Sequence, residues 1–134
     1  MLSGLLALAG CSELGPTAPQ GPGPIAPVVV ETFRGTIGLL ESKFYSFSVS
    51  SSGITFLTLV DARENGVTTE NLITIGLGVP RGTQCVATNV LSVKASGSPQ
   101  VSGTTDKGIH CAVVFDPGNL ASPATFELNI VHPQ

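Results

Sequence analysis

Lys107-Gly108-Ile109-His110-Cys111-Ala112-Val113-Val114-Phe115 is the stretch whose reading decides the fold. It is rich in β-branched residues, apolar on both faces, and carries a cysteine in its middle. Gly108 stands near its start and Asp116-Pro117-Gly118-Asn119 follows its end. A short apolar run bounded in this way reads as a buried strand closed by a turn.

Other strands follow on both sides. Val28 to Arg34 reads as a strand ending at Gly35, and Thr36 to Leu40 as a second, short edge strand. Lys43 to Ser50 alternates, with Tyr45, Phe47 and Val49 on one face and Ser46, Ser48 and Ser50 on the other, the period of a half-buried strand. Ser51-Ser52-Gly53 is a turn. Ile54 to Val60 is the next strand, and because both its faces carry apolar residues its inward face is left open. Asp61 to Asn71 reads as a polar loop containing Asn65-Gly66. In Leu72 to Val79, Ile73, Ile75, Leu77 and Val79 share a face opposite Gly76 and Gly78, and mid-strand glycines indicate a bulge or a close backbone approach. Gln84 to Val93 holds one or two short strands, Lys94 to Lys107 is the most loop-like part, and Ala124 to Val131 alternates again. Seven or eight short strands without a helical period predict an all-β fold, an antiparallel β-sandwich or jelly roll, over residues 28–134.

Composition narrows the functional classes. Hydrophobic residues make up 42% and charged residues 11%, against a usual charged share of roughly 25%. The net charge is −3 and the six Lys and Arg are scattered, whereas a nucleic-acid footprint needs clustered positive charge. No nucleic-acid partner is expected.

Leu2 to Gly10 is an apolar run ending in small residues, and Leu8-Ala9-Gly10-Cys11 resembles the bacterial lipobox. The resemblance implies that residues 1–10 are a lipoprotein signal peptide, cleaved before Cys11, and that Cys11 is acylated and holds the chain to a lipid bilayer. Multiple acyl chains anchor far more firmly than one. No Lys or Arg precedes the run, a departure from the usual basic start of such leaders. Ser12 after the cysteine fits an outer-membrane address in a Gram-negative envelope. Residues 11–27 contain five of the ten prolines, which remove backbone donors and block helix, so they read as an extended spacer between the lipidated cysteine and the folded domain.

Three cysteines is an odd number for an exported chain. With Cys11 acylated, Cys85 and Cys111 remain, and such a pair is normally oxidised outside the cytosol. The bond, expected to tie the two sheets together, would close a loop of about 26 residues and contribute roughly 3.5 kcal/mol on the chain-entropy model. A metal site using His110 with the cysteines is disfavoured, because His110 and Cys111 point to opposite faces of one strand. No metal and no cofactor is expected.

Three stretches together resemble the bacterial pre-peptidase C-terminal domain: Glu41 to Val49, Gly53 to Leu59, and the closing pair Gly108 to Asp116 with Thr125 to Val131. That resemblance implies a β-sandwich with a non-catalytic accessory role. Some related sandwiches bind calcium through acidic clusters, but Leu72-Ile73-Thr74-Ile75 lacks the Asp-rich character often found at the corresponding strand.

No chemistry-bearing motif stands out. The histidines are His110 and His132, and no Gly-x-Ser-x-Gly elbow accompanies them. Gly76 to Gly82 has the wrong spacing for a phosphate loop. Asp116 and Asn119 form the best candidate binding loop, since loops at the end of a sandwich often carry function; as a plain turn, the same residues bond locally. The expected function is a lipid-anchored envelope protein, not an enzyme, with a binding or structural sandwich facing an unknown envelope protein or glycan. The alternatives are a calcium- or glycan-binding accessory module and, further off, a small secreted hydrolase.

Overall fold

The structure is a computed structural model that describes residues 27–134. The leader, Cys11 and the spacer as far as residue 26 lie outside the described residues. Nine strands form the domain: β1 (Val28–Ile37), β2 (Ser42–Val49), β3 (Gly53–Glu64), β4 (Val67–Thr68), β5 (Ile73–Arg81), β6 (Gln84–Val93), β7 (Val101–Thr105), β8 (Gly108–Phe115) and β9 (Ala124–Pro133). A first sheet runs β1-β9-β3, with β4 and β7 both pairing the far side of β3; a second runs β2-β8-β5-β6. All pairings are antiparallel. The two sheets pack face to face as a sandwich.

Alternation drives that packing. Phe47 and Val49 of β2, Ala112 and Val114 of β8, and Ile73, Ile75 and Leu77 of β5 point from the second sheet into the core. Leu57 and Leu59 of β3, with Phe126, Leu128 and Ile130 of β9, meet them from the first. Most are fully shut off from solvent, and each such side chain contributes roughly 1.5–3 kcal/mol relative to exposure.

Several boundaries differ from the sequence reading. Thr36 and Ile37 continue β1 and Gly38 to Leu40 turn the chain, so no separate edge strand exists there. The polar stretch from Asp61 is still strand as far as Glu64, and Asn65-Gly66, both at positive φ (51° and 76°), forms a two-residue hairpin into β4. That conformation is what Asn-Gly supplies most readily. Within the stretch read as most loop-like lies β7, whose Val101 and Thr105 are buried against β3. Its Ser-Gly-Thr centre gives no hydrophobic signal, because backbone pairing with β3 holds it. The register of β3 against β9 shifts between Leu59 and Asp61, and that of β5 against β6 shifts between Leu77 and Gly78.

Candidate functional site

Cys85 and Cys111 are joined, with their Cα atoms 6.0 Å apart. The bond does not tie one sheet to the other as expected; it lies within the second sheet, on its outer face. Both β6 and β8 flank β5, and strands separated by one neighbour lie about 9.5 Å apart, too far for a disulfide. The β5–β6 hairpin, still paired at its tip through Pro80 opposite Cys85 and Arg81 opposite Gln84, must therefore fold as a unit over the outer face of the sheet towards β8. It does so at Gly78, which is opposite Cys111 in the ladder. A Cβ at Gly78 would sit 2.0 Å from the Val86 carbonyl oxygen and 2.6 Å from the Ala87 Cα. The glycine noted in the sequence is the saddle over which the hairpin folds. Thr88 has no partner in the β5–β6 ladder, and this bulge bends the strand outward.

The folded tip reaches towards β2. Ser42 and Phe44 on one side and Thr83, Gln84 and Cys85 on the other line an open cleft of about 340 Å³. No charged side chain lines it. Beneath the tip, Cys111, Val113 and Gly78 are buried although they belong to an outer face.

The candidate binding loop after β8 is engaged internally. Asp116 is buried, and its carboxylate accepts the backbone N–H groups of Gly118, Asn119 and Leu120 at 2.9, 2.7 and 3.1 Å through one oxygen and that of Leu40 at 3.0 Å through the other. Burial works to raise its pKa, but these backbone donors outweigh it and hold the carboxyl below its ordinary value. The Asn119 amide donates to the Leu72 carbonyl at 3.1 Å.

Glu64, not singled out in the sequence, clamps the same loop. It accepts from Thr69, from the Asn71 amide at 2.7 Å, and from the backbone of Ala121 and Ser122 at 2.8 and 2.9 Å. The Thr69 hydroxyl first, then the Ser122 N–H, with Asn71 and Ala121, lower its pKa to about 2 against the opposing effect of desolvation.

The two histidines have different surroundings. His110 bonds the Asp106 carbonyl through Nε2 at 2.7 Å. His132 is buried between the sheets and stacks on Phe47 at 4.8 Å. Its Nδ1 faces the Pro133 carbonyl at 2.7 Å and its Nε2 the Glu31 carboxylate at 2.6 Å. Tyr45 donates its hydroxyl to the second Glu31 oxygen at 3.0 Å. That bond, the Glu31 charge and burial raise the Tyr45 pKa. The cluster links β1, β2 and β9, and its members are each other's partners. Glu31 was missed in the sequence, although it shares the period of Val29 and Phe33; an acid at an inward position is the signal. Among the described residues no three His, Cys, Asp or Glu side chains stand together as a metal site.

The outer face of the first sheet is divided. Val30, Val131 and Phe56 are neighbours across β1, β9 and β3, with Val28 and Ile54 one same-face position further along. Farther up the same face come Arg34, Glu127, Asp61 and Arg63, joined by Arg34–Glu127 and Arg63–Asp61 ion pairs at 3.2 and 3.1 Å. Val28, Val30 and Ile54 are 57%, 61% and 56% exposed, and Phe56 37%. The inward face of β3, open in the sequence, is therefore the one bearing Thr55, Leu57 and Leu59.

No family model and no curated protein matches the chain. Among solved structures, a chain from Bacillus endospore appendages, described as a novel family of disulfide-linked pili, is similar at 15% identity, over 88% of this chain and 98% of that one, with a TM-score of 0.41.

Proposed function

We propose that this chain is a lipid-anchored protein of the bacterial cell envelope whose folded part is a non-catalytic β-sandwich with a binding or structural role. The observation that carries the reading is the Cys85–Cys111 bond, because stable disulfides belong to exported proteins. The lipobox-like Leu8-Ala9-Gly10-Cys11 supports the anchor. The engagement of Asp116, Glu64, Glu31 and His132 in holding the fold supports a non-catalytic role. The resemblance of β2, β3, β8 and β9 to the pre-peptidase C-terminal domain points the same way.

Palmitate labelling of the wild-type chain and a Cys11→Ala variant tests the anchor. Label on the first and none on the second is expected; equal label on both removes the lipid from the reading. Activity screens on esters, peptides and glycosides should find no turnover. Turnover abolished by His110→Ala or His132→Ala would replace the proposal with a hydrolase.

A further inference from the structure

We propose that the apolar half of the first sheet's outer face, built from Val28, Val30, Ile54, Phe56 and Val131, lies against the lipid surface to which the chain is anchored. This inference rests on the lipid-anchor reading of Cys11, and the experiment below separates the two.

Three observations carry it. The five side chains are contiguous by register rather than scattered, in two rows across three adjacent strands. Scattered exposed apolar residues need no explanation, whereas a contiguous patch with a polar border is a candidate interaction surface. The border here is made of Ser102 and Thr104 on β7 at one side, and beyond the Thr32–Asn129–Thr58 row, of Arg34, Glu127, Asp61 and Arg63.

The second observation is position. β1 starts at Val28, so the patch begins where the chain enters from the spacer. Sixteen residues, 12–27, separate it from Cys11. The charged half of the face is the half farther from that entry. The spacer reaches about 3 Å per residue where extended and turns back when the domain docks. The half next to its entry, which then meets the bilayer, is the apolar one, and the ion pairs stay in water.

The third is size. Five side chains on three strands fall well short of the roughly 800 Å² per partner that a stable free-standing complex buries. A covalent tether alters that requirement, because it turns docking into an intramolecular event at high effective concentration. A small apolar patch suits a surface to which the domain is already attached.

The chain has no Trp and a single Tyr, so Phe56→Trp introduces a lone indole reporter. The acylated full chain is placed in vesicles of phosphatidylethanolamine and phosphatidylglycerol, with and without brominated acyl chains. The expected result is blue-shifted emission that bromine quenches. A Val67→Trp reporter, on β4 at the opposite end, should keep solvent-like emission, and adding Val30→Glu to the Phe56→Trp chain should abolish both shift and quenching. Solvent-like, unquenched emission from Phe56→Trp overturns the proposal. So does a blue shift that grows with protein concentration without vesicles, which assigns the face to a second copy. Mass spectrometry of the same preparation reads acylation of Cys11 independently. An acylated chain with an unquenched indole removes the docking and keeps the anchor; a quenched indole on a chain found unacylated removes the anchor and keeps a lipid-binding face.

Discussion

On the second sheet, Val113 and Cys111 point outward and are nonetheless hidden, because the tip of the β5–β6 hairpin lies over them and is bonded in place. On the first sheet, Val30 and Ile54 also point outward and are exposed among the described residues. The difference lies in strand chemistry. β5 offers Gly78 on its outer side, over which the β6 backbone passes, and Gly76, which makes room for the Val90 and Ala87 side chains, and β6 carries a bulge that bends it over that outer face. At the matching layer of the first sheet, β9 and β3 carry Val131 and Phe56, which leave no room for a crossing chain. One face is finished by the fold itself; the other is available to something outside it.

That contrast can be broken most severely at Gly78. Gly78→Val places new atoms against the backbone of Val86 and Ala87, so the hairpin cannot cross and the cysteines cannot meet. The combined effect of overpacking and the lost bond is expected to be about 5 kcal/mol. Thiol titration should find two reactive sulfurs from positions 85 and 111, and thermal unfolding should show the loss. Paired Cys85→Ala and Cys111→Ala should cost less, roughly 3.5 kcal/mol, read by urea denaturation. A loss within error of zero would mean that the hairpin tip stays down without its bond.

The carboxylates that brace the loop between β8 and β9 come next. Asp116→Ala leaves the N–H groups of Leu40, Gly118, Asn119 and Leu120 without their acceptor and should cost on the order of 2 kcal/mol. The sign of the acid response follows from the direction of the shifts. Both carboxyls have folded pKa values below their unfolded ones. Their stabilisation is therefore complete above the unfolded value and is lost as pH falls through the folded one. For Glu64 that window runs from 4.5 down to about 2. The urea midpoint should fall across it, and Glu64→Gln should flatten the decline.

The smallest effect belongs to the open face. Val30→Ser and Ile54→Ser should each change stability by no more than about 0.5 kcal/mol, since those side chains are not part of the domain's own packing. A larger loss in the isolated domain would show that the face serves the fold after all.

Much of the architecture was legible in the residues. Alternation at Tyr45, Phe47 and Val49 and the run Ile73, Ile75, Leu77 marked true inward faces, whereas Val79, read on the same face, lies beyond the bend at Gly78 and is exposed; the odd cysteine count gave the correct pair. Strand order was not legible, so the bond was expected between sheets when it joins β6 to β8 within one. β7 escaped because Ser102-Gly103-Thr104 has turn chemistry and is a strand only through its partner β3. Ile54 to Val60 could be oriented only once β9 was in place beside it. Of the candidate loop, Asp116 was visible as a turn residue, but its coupling to Leu40 spans 76 positions and leaves no local trace.

One more consequence follows from the way β1 enters the molecule. It begins at the spacer and runs beside β9 through ten consecutive register pairs, from Val28 opposite Pro133 to Ile37 opposite Ala124. Tension drawn along β1 from its first residue loads all of those rungs together in shear, rather than peeling them one at a time. A domain loaded through its first strand in this way withstands a pull on that strand better than one whose end strand is peeled away.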